Sequence, residues 1–264
     1  MDLNELQAAL AGAMIETRYQ PIVRISDRRP VGLEALARLN HPKQGTLSPD
    51  RFLPQIEDGG LAAELTRLVS AHAFADLAGQ YLRGRGLRMS VNFPLDVLLS
   101  AAALDRLEEQ RKAACVAADR IIIELTESRP VDDFATLRRS LERLRDLGYG
   151  VAIDDVGPAV PRLAPLLDLP FTSLKLDKDQ VQQVITSEHV REFLATTIVR
   201  AKAHGLTVVA EGVETEEIWQ QMRELGADEV QGFLVARPLP VAAVPVWWDA
   251  WVGQAATEGL EPDR

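Results

Sequence analysis

Residues 148–177 read GYGVAIDDVGPAVPRLAPLLDLPFTSLKLD. Two short apolar runs, 148–155 and 171–177, are bounded by glycine and proline, as buried strands of a parallel sheet are. The first ends in two adjacent carboxylates, Asp154 and Asp155, and the second in Lys175 and Asp177. Adjacent carboxylates repel each other unless a positive group sits between or beside them. In α/β sheets and barrels the chemistry lies at the C-terminal strand ends, where these groups fall.

Six further runs of the same kind lie on either side. They are TRYQPIVRI (17–25), PVGLEALARL (30–39), LRMSVNF (87–93), RIIIELTE (120–127), LTVVAEGVE (206–214) and EVQGFLV (229–235). Helical patterns separate most of them. In 132–148, Phe134, Leu137, Leu141 and Leu144 recur at helical spacing, and the pattern 188–205 closes on Gly205. Eight strands with intervening helices make a (β/α)8 barrel the expected fold, with a doubly wound open sheet as the alternative, because strand counting does not prove closure.

The 264 residues suit a single α/β barrel, and 47% hydrophobic residues supply its core. A net charge of −10 argues against a binder of DNA or RNA, which would carry a basic stripe. The single cysteine, Cys115, excludes an intrachain disulfide and a thiolate cluster, and suits a reducing, cytoplasmic setting. The N-terminal stretch places Asp2 and Glu5 before its apolar run, the opposite of a signal peptide, and reads as an amphipathic helix. No run approaches the ~18 apolar residues of a membrane span. The polar tail 253–264 is expected to fray.

The polar residues gather where the strands end. Asn92, Glu124, Glu127, Asp154, Asp155, Lys175, Asp177, Glu211 and Glu214 close their runs, Gln231 falls early in its own, and Glu34 lies inside PVGLEALARL. Oxygen ligands without histidine or cysteine suit a hard cation such as Mg²⁺ or Mn²⁺. Two such ions sharing a carboxylate would relieve the Asp154–Asp155 repulsion and could clamp an in-line phosphoryl displacement. Taken singly, Asp132 or Asp177 reads more simply as a helix cap, and Lys175 as a barrel ion-pair partner. Joint occurrence on consecutive strands favours a site. His41, His72, His189 and His204 lack ligand spacing, and Trp247, Trp248 and Trp251 read as packing of a last helix.

The stretches YQPIV, GLEALARLNHP, SVNFP, ELTES, AIDDVG, SLKLD, VVAEGVET and QGFLVARPLP, in this order and spacing, resemble the EAL-domain cyclic-di-GMP phosphodiesterases from about Tyr19 to Pro240. The resemblance implies a TIM-like barrel with one reversed strand, a domain over 1–252, and hydrolysis of cyclic di-GMP to linear pGpG with two Mg²⁺ or Mn²⁺ ions, Ca²⁺ being inhibitory. It implies that Glu34, Asn92, Glu124 and Asp154 bind one metal, and that Asp154 bridges to a second held also by Asp155. Lys175 would hold and polarise the attacking water, Glu211 would orient or deprotonate it, and Gln231 would help place it. Gln20, Leu36, Arg38, Arg237 and Pro238 would line the substrate groove, and Glu127 would anchor the loop after the aspartate pair. Homodimers and a role in biofilm and motility signalling follow from the same resemblance.

That loop departs from the family. Where relatives read approximately D-D-F-G-T-G-Y-S-S-L, this chain reads Asp154, Asp155, Val156, Gly157, Pro158, Ala159, Val160, Pro161, Arg162, Leu163. Proline removes amide donors and restricts φ, so a weaker tie to Glu127, a weaker second metal site and weaker dimerisation are expected. Two alternatives to the phosphodiesterase stand beside it: a cyclic-di-GMP receptor that does not hydrolyse, and a protein-interaction module that binds no nucleotide.

Overall fold

The computed structural model describes residues 2–12, 14–126, 133–158 and 163–257. Its strands are β1 (Ile15–Arg24), β2 (Pro30–His41), β3 (Gly45–Leu47), β4 (Arg88–Pro94), β5 (Ile121–Thr126), β6 (Gly150–Val156), β7 (Ser173–Leu176), β8 (Thr207–Ala210) and β9 (Glu229–Gln231). The sheet runs β1-β9-β8-β7-β6-β5-β4-β2-β3, and a further β1–β2 pairing closes eight of the strands into a barrel. The open-sheet alternative is thereby excluded. β1 is antiparallel to both of its neighbours, β2 and β9, while the pairs from β2–β4 round to β8–β9 are parallel. The reversed strand is therefore the first. β3 is not expected from the sequence; its three residues only extend the outer end of β2.

The parallel strands read as apolar runs because both faces are covered: all four residues of β7 are buried, and Ile121, Ile123 and Leu125 of β5 are buried with them. The helix Phe134–Asp146 lays Leu137, Leu141 and Leu144 into the core, at the spacing read from the sequence. Its cap is Asp133, whose side chain accepts from the Thr136 amide. Asp132 lies outside the described residues. The helix Glu188–Ala203 starts on Ser187, and the helix Leu3–Ala11 on a reciprocal Asp2–Glu5 capping box.

The final helix, Val244–Thr257, continues into the stretch expected to fray. Its tryptophans pack as expected. Trp247 and Trp251 stack with centroids 6.1 Å apart, and Trp251 Nε1 donates to the Arg28 carbonyl at 2.7 Å. No helix among the described residues is long and apolar enough to cross a membrane.

Candidate active site

Glu34 stands at the barrel mouth although it lies in the middle of its strand. β2 pairs with β4 only from Gly32 to Ala35, with Glu34 beside Ser90. Beyond that point β2 leaves the barrel and continues as an arm against β1 and β3. Asn92 and Glu124 are register partners on β4 and β5, and Gln20 on β1 is the partner of Glu34. Asp154, Lys175, Glu211 and Gln231 arrive from β6, β7, the residue after β8, and the end of β9. Leu36 and Arg38 lie half-buried on the arm.

The adjacent aspartates reach one place through a β-bulge. Ile153 pairs with Leu174, but Val156 pairs with Leu176, so β6 spends one residue more than β7 over the same step. Asp155 takes that extra position at φ 52, in the left-handed region. Regular alternation would send neighbouring side chains to opposite faces. The bulge breaks it, and carboxylate oxygens of Asp154, Asp155 and Glu211 lie within 4.8 Å of one another. Aspartate tolerates this backbone better than most residues.

Lys175 fills the centre. Its Nζ is 2.7 Å from Glu211, 2.8 Å from Glu124, 3.0 Å from Asp154 and 3.5 Å from Glu34. Asn92 Nδ2 donates to one oxygen of Glu34 at 2.8 Å and Gln231 Nε2 to the other at 2.6 Å. The same Gln231 nitrogen reaches Gln20 Oε1 at 3.2 Å. Gln231 thus holds Glu34 and Gln20 in place. The ion-pair reading of Lys175 and the site reading describe one arrangement.

The electrostatics of this cup are unbalanced. The four carboxylates around Lys175 and Asp155 on the exposed rim, all ionised, leave four negative charges beyond the one ammonium. Burial pushes Glu124 up to about 8, against the pull of Lys175. Burial and the neighbouring Asp154 push Asp155 up to about 6. Burial also raises Asp154 and Glu211. For Glu34 the upward push of burial is outweighed by Lys175, Asn92 and Gln231, which leave it below the usual range. Lys175 is pushed down by burial and held well above its ordinary value by the surrounding carboxylates. Asp154 Oδ1 is buried, and its 3.0 Å approach is to an ammonium already shared with Glu124 and Glu211. An all-oxygen donor set with surplus negative charge fits a hard divalent cation.

Backbone contacts lock the last two strand ends together. Val213 N donates to Gln231 O at 3.1 Å, and Leu234 N donates to Val213 O at 3.1 Å. A Cβ on Gly232 would lie 2.1–2.6 Å from the backbone of Val213, so only glycine fits there. This tie, which sets Gln231 beside Glu211, is not legible in the sequence; the glycine after Gln231 is its one visible signal. Nor is the Tyr19 hydroxyl, which donates to Asp76 at 2.5 Å and fixes β1 beside Gln20.

The remaining expected residues divide. Gln20 Nε2 donates to Ala236 O at 3.2 Å, so it ties β1 to the segment that carries Arg237 and Pro238. Arg38 donates to the neighbouring Ala37 carbonyl. Asp177 caps the helix Lys178–Gln183, the simpler of its two readings. Glu214 accepts from Gln182 at 3.1 Å. His41 and His204 make local hydrogen bonds, and His72 pairs with the Thr17 hydroxyl of β1 at 3.1 Å. Glu127 and residues 159–162 lie outside the described residues.

The family model described as the EAL domain matches residues 3–238. The chain is 37% identical to the Cyclic di-GMP phosphodiesterase NbdA of Pseudomonas aeruginosa over 96% of its own length and 32% of that protein. It is 31% identical to the Cyclic di-GMP phosphodiesterase RocR of the same species, covering 85% of this chain and 57% of the relative. The chain therefore spans about a third of NbdA and somewhat over half of RocR. Among solved structures, that titled PaMucR Phosphodiesterase, c-di-GMP complex, superposes with a TM-score of 0.86 at 29% identity, over 92% of this chain and 98% of the other.

Proposed function

Because the chain belongs to the EAL-domain family, we propose that it hydrolyses cyclic di-GMP to linear pGpG with the help of two divalent cations. The observation that carries this reading is the excess of carboxylates around Lys175, four of them within 3.5 Å of its Nζ. Glu34, Asn92, Glu124 and Asp154 would hold one cation, and Asp154 and Asp155 the other. When bound, the cations would supply charge to the phosphate and lower the pKa of water. Mg²⁺ and Mn²⁺ suit the oxygen donors. Ca²⁺, with longer bonds of ~2.3–2.6 Å against ~2.0–2.1 Å for Mg²⁺, should permit binding and inhibit turnover.

The protein's own groups do the rest. Lys175, kept protonated by its carboxylates, would hold and polarise the attacking water. Glu211, 2.7 Å from Lys175 Nζ, would orient or deprotonate that water. Gln231 would keep Glu34 aimed at the cup. Arg38 and Arg237 would receive the substrate's phosphates and bases together with Gln20, Leu36 and Pro238. On this reading the chain works in the cytoplasm and can form homodimers, with biofilm and motility control as the setting.

The proline-rich departure at 158–162 favours a second reading, a receptor that binds cyclic di-GMP without cleaving it. One assay separates the two: incubation with cyclic di-GMP and Mg²⁺ or Mn²⁺, followed by chromatography for the linear dinucleotide. Product supports the phosphodiesterase. Tight binding without product under both cations supports the receptor.

A further inference from the structure

The helices Ala62–Ala78 and Ala101–Ala113 pack against each other beside β4 and leave a small cavity between them. Phe93 at the end of β4 and Val97 in the short helix Leu95–Leu98 give it an apolar lining. The centre of a water-sized sphere can range over about 20 Å³ of it. That is room for one water molecule or one ion of similar size. The first helix adds Thr66, Arg67 and Ser70 to the lining, and the second adds Arg106 and Gln110. Spacings of three and four residues put each set on one face of its helix.

Ser70 is 1% exposed, and its hydroxyl has no hydrogen-bond partner among the described residues. A serine inside a helix can return its hydroxyl to the carbonyl one turn back. This one does not. The two guanidiniums are the charged groups of the lining, and no carboxylate lines the cavity among the described residues. Arg67 Nε and Nη2 donate to Glu64 at 2.9 and 2.7 Å. Glu64 is held below the usual carboxylate range chiefly by that hydrogen bond, and the charge of Arg106 adds to the effect. Glu64 thus balances one of the two cations. Gln110 Nε2 donates to the Arg67 carbonyl at 3.0 Å, tying the helices together beside the cavity.

The cavity therefore presents a buried hydroxyl and a guanidinium that can only donate. A ligand that only accepts, and that carries one negative charge, matches both groups. A water molecule would fill the space and leave the charge unanswered. We propose that this cavity is a binding site for one small monovalent anion of chloride size, held by the Ser70 hydroxyl and the Arg106 guanidinium. The site uses no residue of the carboxylate cup and does not depend on the cyclic-di-GMP reading. Because the ion bridges two helices of the folded chain, its binding stabilises that chain by mass action.

The test uses the whole chain and the variants Ser70→Ala, Arg106→Gln and Arg106→Lys. Each is melted at one fixed ionic strength while chloride replaces isethionate, an anion too large for the cavity. Fixed ionic strength keeps general screening constant. The wild-type melting temperature should rise with chloride. The chloride dissociation constant drawn from these curves should be about 10- to 150-fold higher in the alanine and glutamine variants, which each lose a hydrogen bond to a charged group. Lysine keeps the charge and a donor and should recover part of the affinity. Crystals soaked in bromide should show anomalous scattering between Ser70 and Arg106. A wild-type melting temperature indifferent to chloride, or equal chloride responses in all four proteins, overturns the proposal. So does a water at Ser70, without bromide, in the soaked crystals.

Discussion

At the floor of the barrel Arg88 and Glu229, from the starts of β4 and β9, pair at 2.5 Å, one cation to one anion. At the mouth a single ammonium, Lys175, faces four carboxylates within 3.5 Å. The helical jacket shows the reverse of the mouth: Glu108 accepts from Arg111 and the Tyr149 hydroxyl, with Lys112 at 3.3 Å. The pKa directions follow these ratios. Hydrogen bonds from Arg111 hold Glu108 down at about 2, whereas burial among other carboxylates pushes Glu124 up to about 8. Charge is matched where it only has to stabilise, and mismatched where the proposed cations would bind. The mouth costs stability that the rest of the barrel must supply.

The sharpest way to break this contrast is to remove a ligand at the mouth. Glu34→Ala should cut turnover by on the order of 100-fold or more without unfolding the chain. Product formation at the wild-type rate would show that the metal assignment is wrong.

Lys175→Met leaves the carboxylates without their counter-charge and should cost ~3–5 kcal/mol in chelator. Added Mn²⁺ should recover more melting temperature in the variant than in the wild type. Arg88→Met at the floor, where the pair reaches water, should cost only ~1 kcal/mol and respond little to Mn²⁺. Equal losses at the two ends, read by thermal melts, would erase the distinction.

Gly232→Ala forces a Cβ against Val213 and should cost ~1–3 kcal/mol, with activity falling ~10–100-fold because Gln231 and Glu211 move apart. A variant with native melting temperature and native kcat would show that the tie has slack.

The smallest effect is expected in the jacket. Glu108 has a depressed folded pKa, so its stabilisation is present above the ordinary carboxylate value near 4.5 and is lost as pH falls towards about 2. Glu108→Gln should cost ~1–2 kcal/mol at neutral pH and flatten the loss of stability in that acid window. Denaturant melts between neutral pH and pH 3 read this directly, and parallel curves for both proteins would count against the assignment.

The runs ending in carboxylates suffice to expect a barrel, and the motif series suffices to expect its reversed strand and its family. Apolar runs buried on both faces and helices with a 3.6-residue stripe are written locally, so the spacing of Leu137, Leu141 and Leu144 already assigns them to the core side of their helix. The same holds for the chemical character of the mouth, since Asp154, Asp155, Lys175 and Glu211 stand at strand ends in the sequence itself.

Other features depend on register and close approach, which local patterns do not encode. Glu34 sits in mid-strand and still reaches the mouth, because the pairing of β2 with β4 stops at Ala35. Asp155 joins Asp154 only because β6 carries one extra residue against β7, with a left-handed φ that no composition announces. Gly232 is one glycine among 17 in the chain, and what singles it out is the Val213 backbone lying where its side chain would be. Glu34 apart, which groups reach the mouth is thus a property of the chain's local pattern, because hydrophobic runs define the strands and where they end. Which of those groups meet is a property of the folded barrel, because it depends on closure, on a bulge and on backbone contacts between segments far apart in the chain.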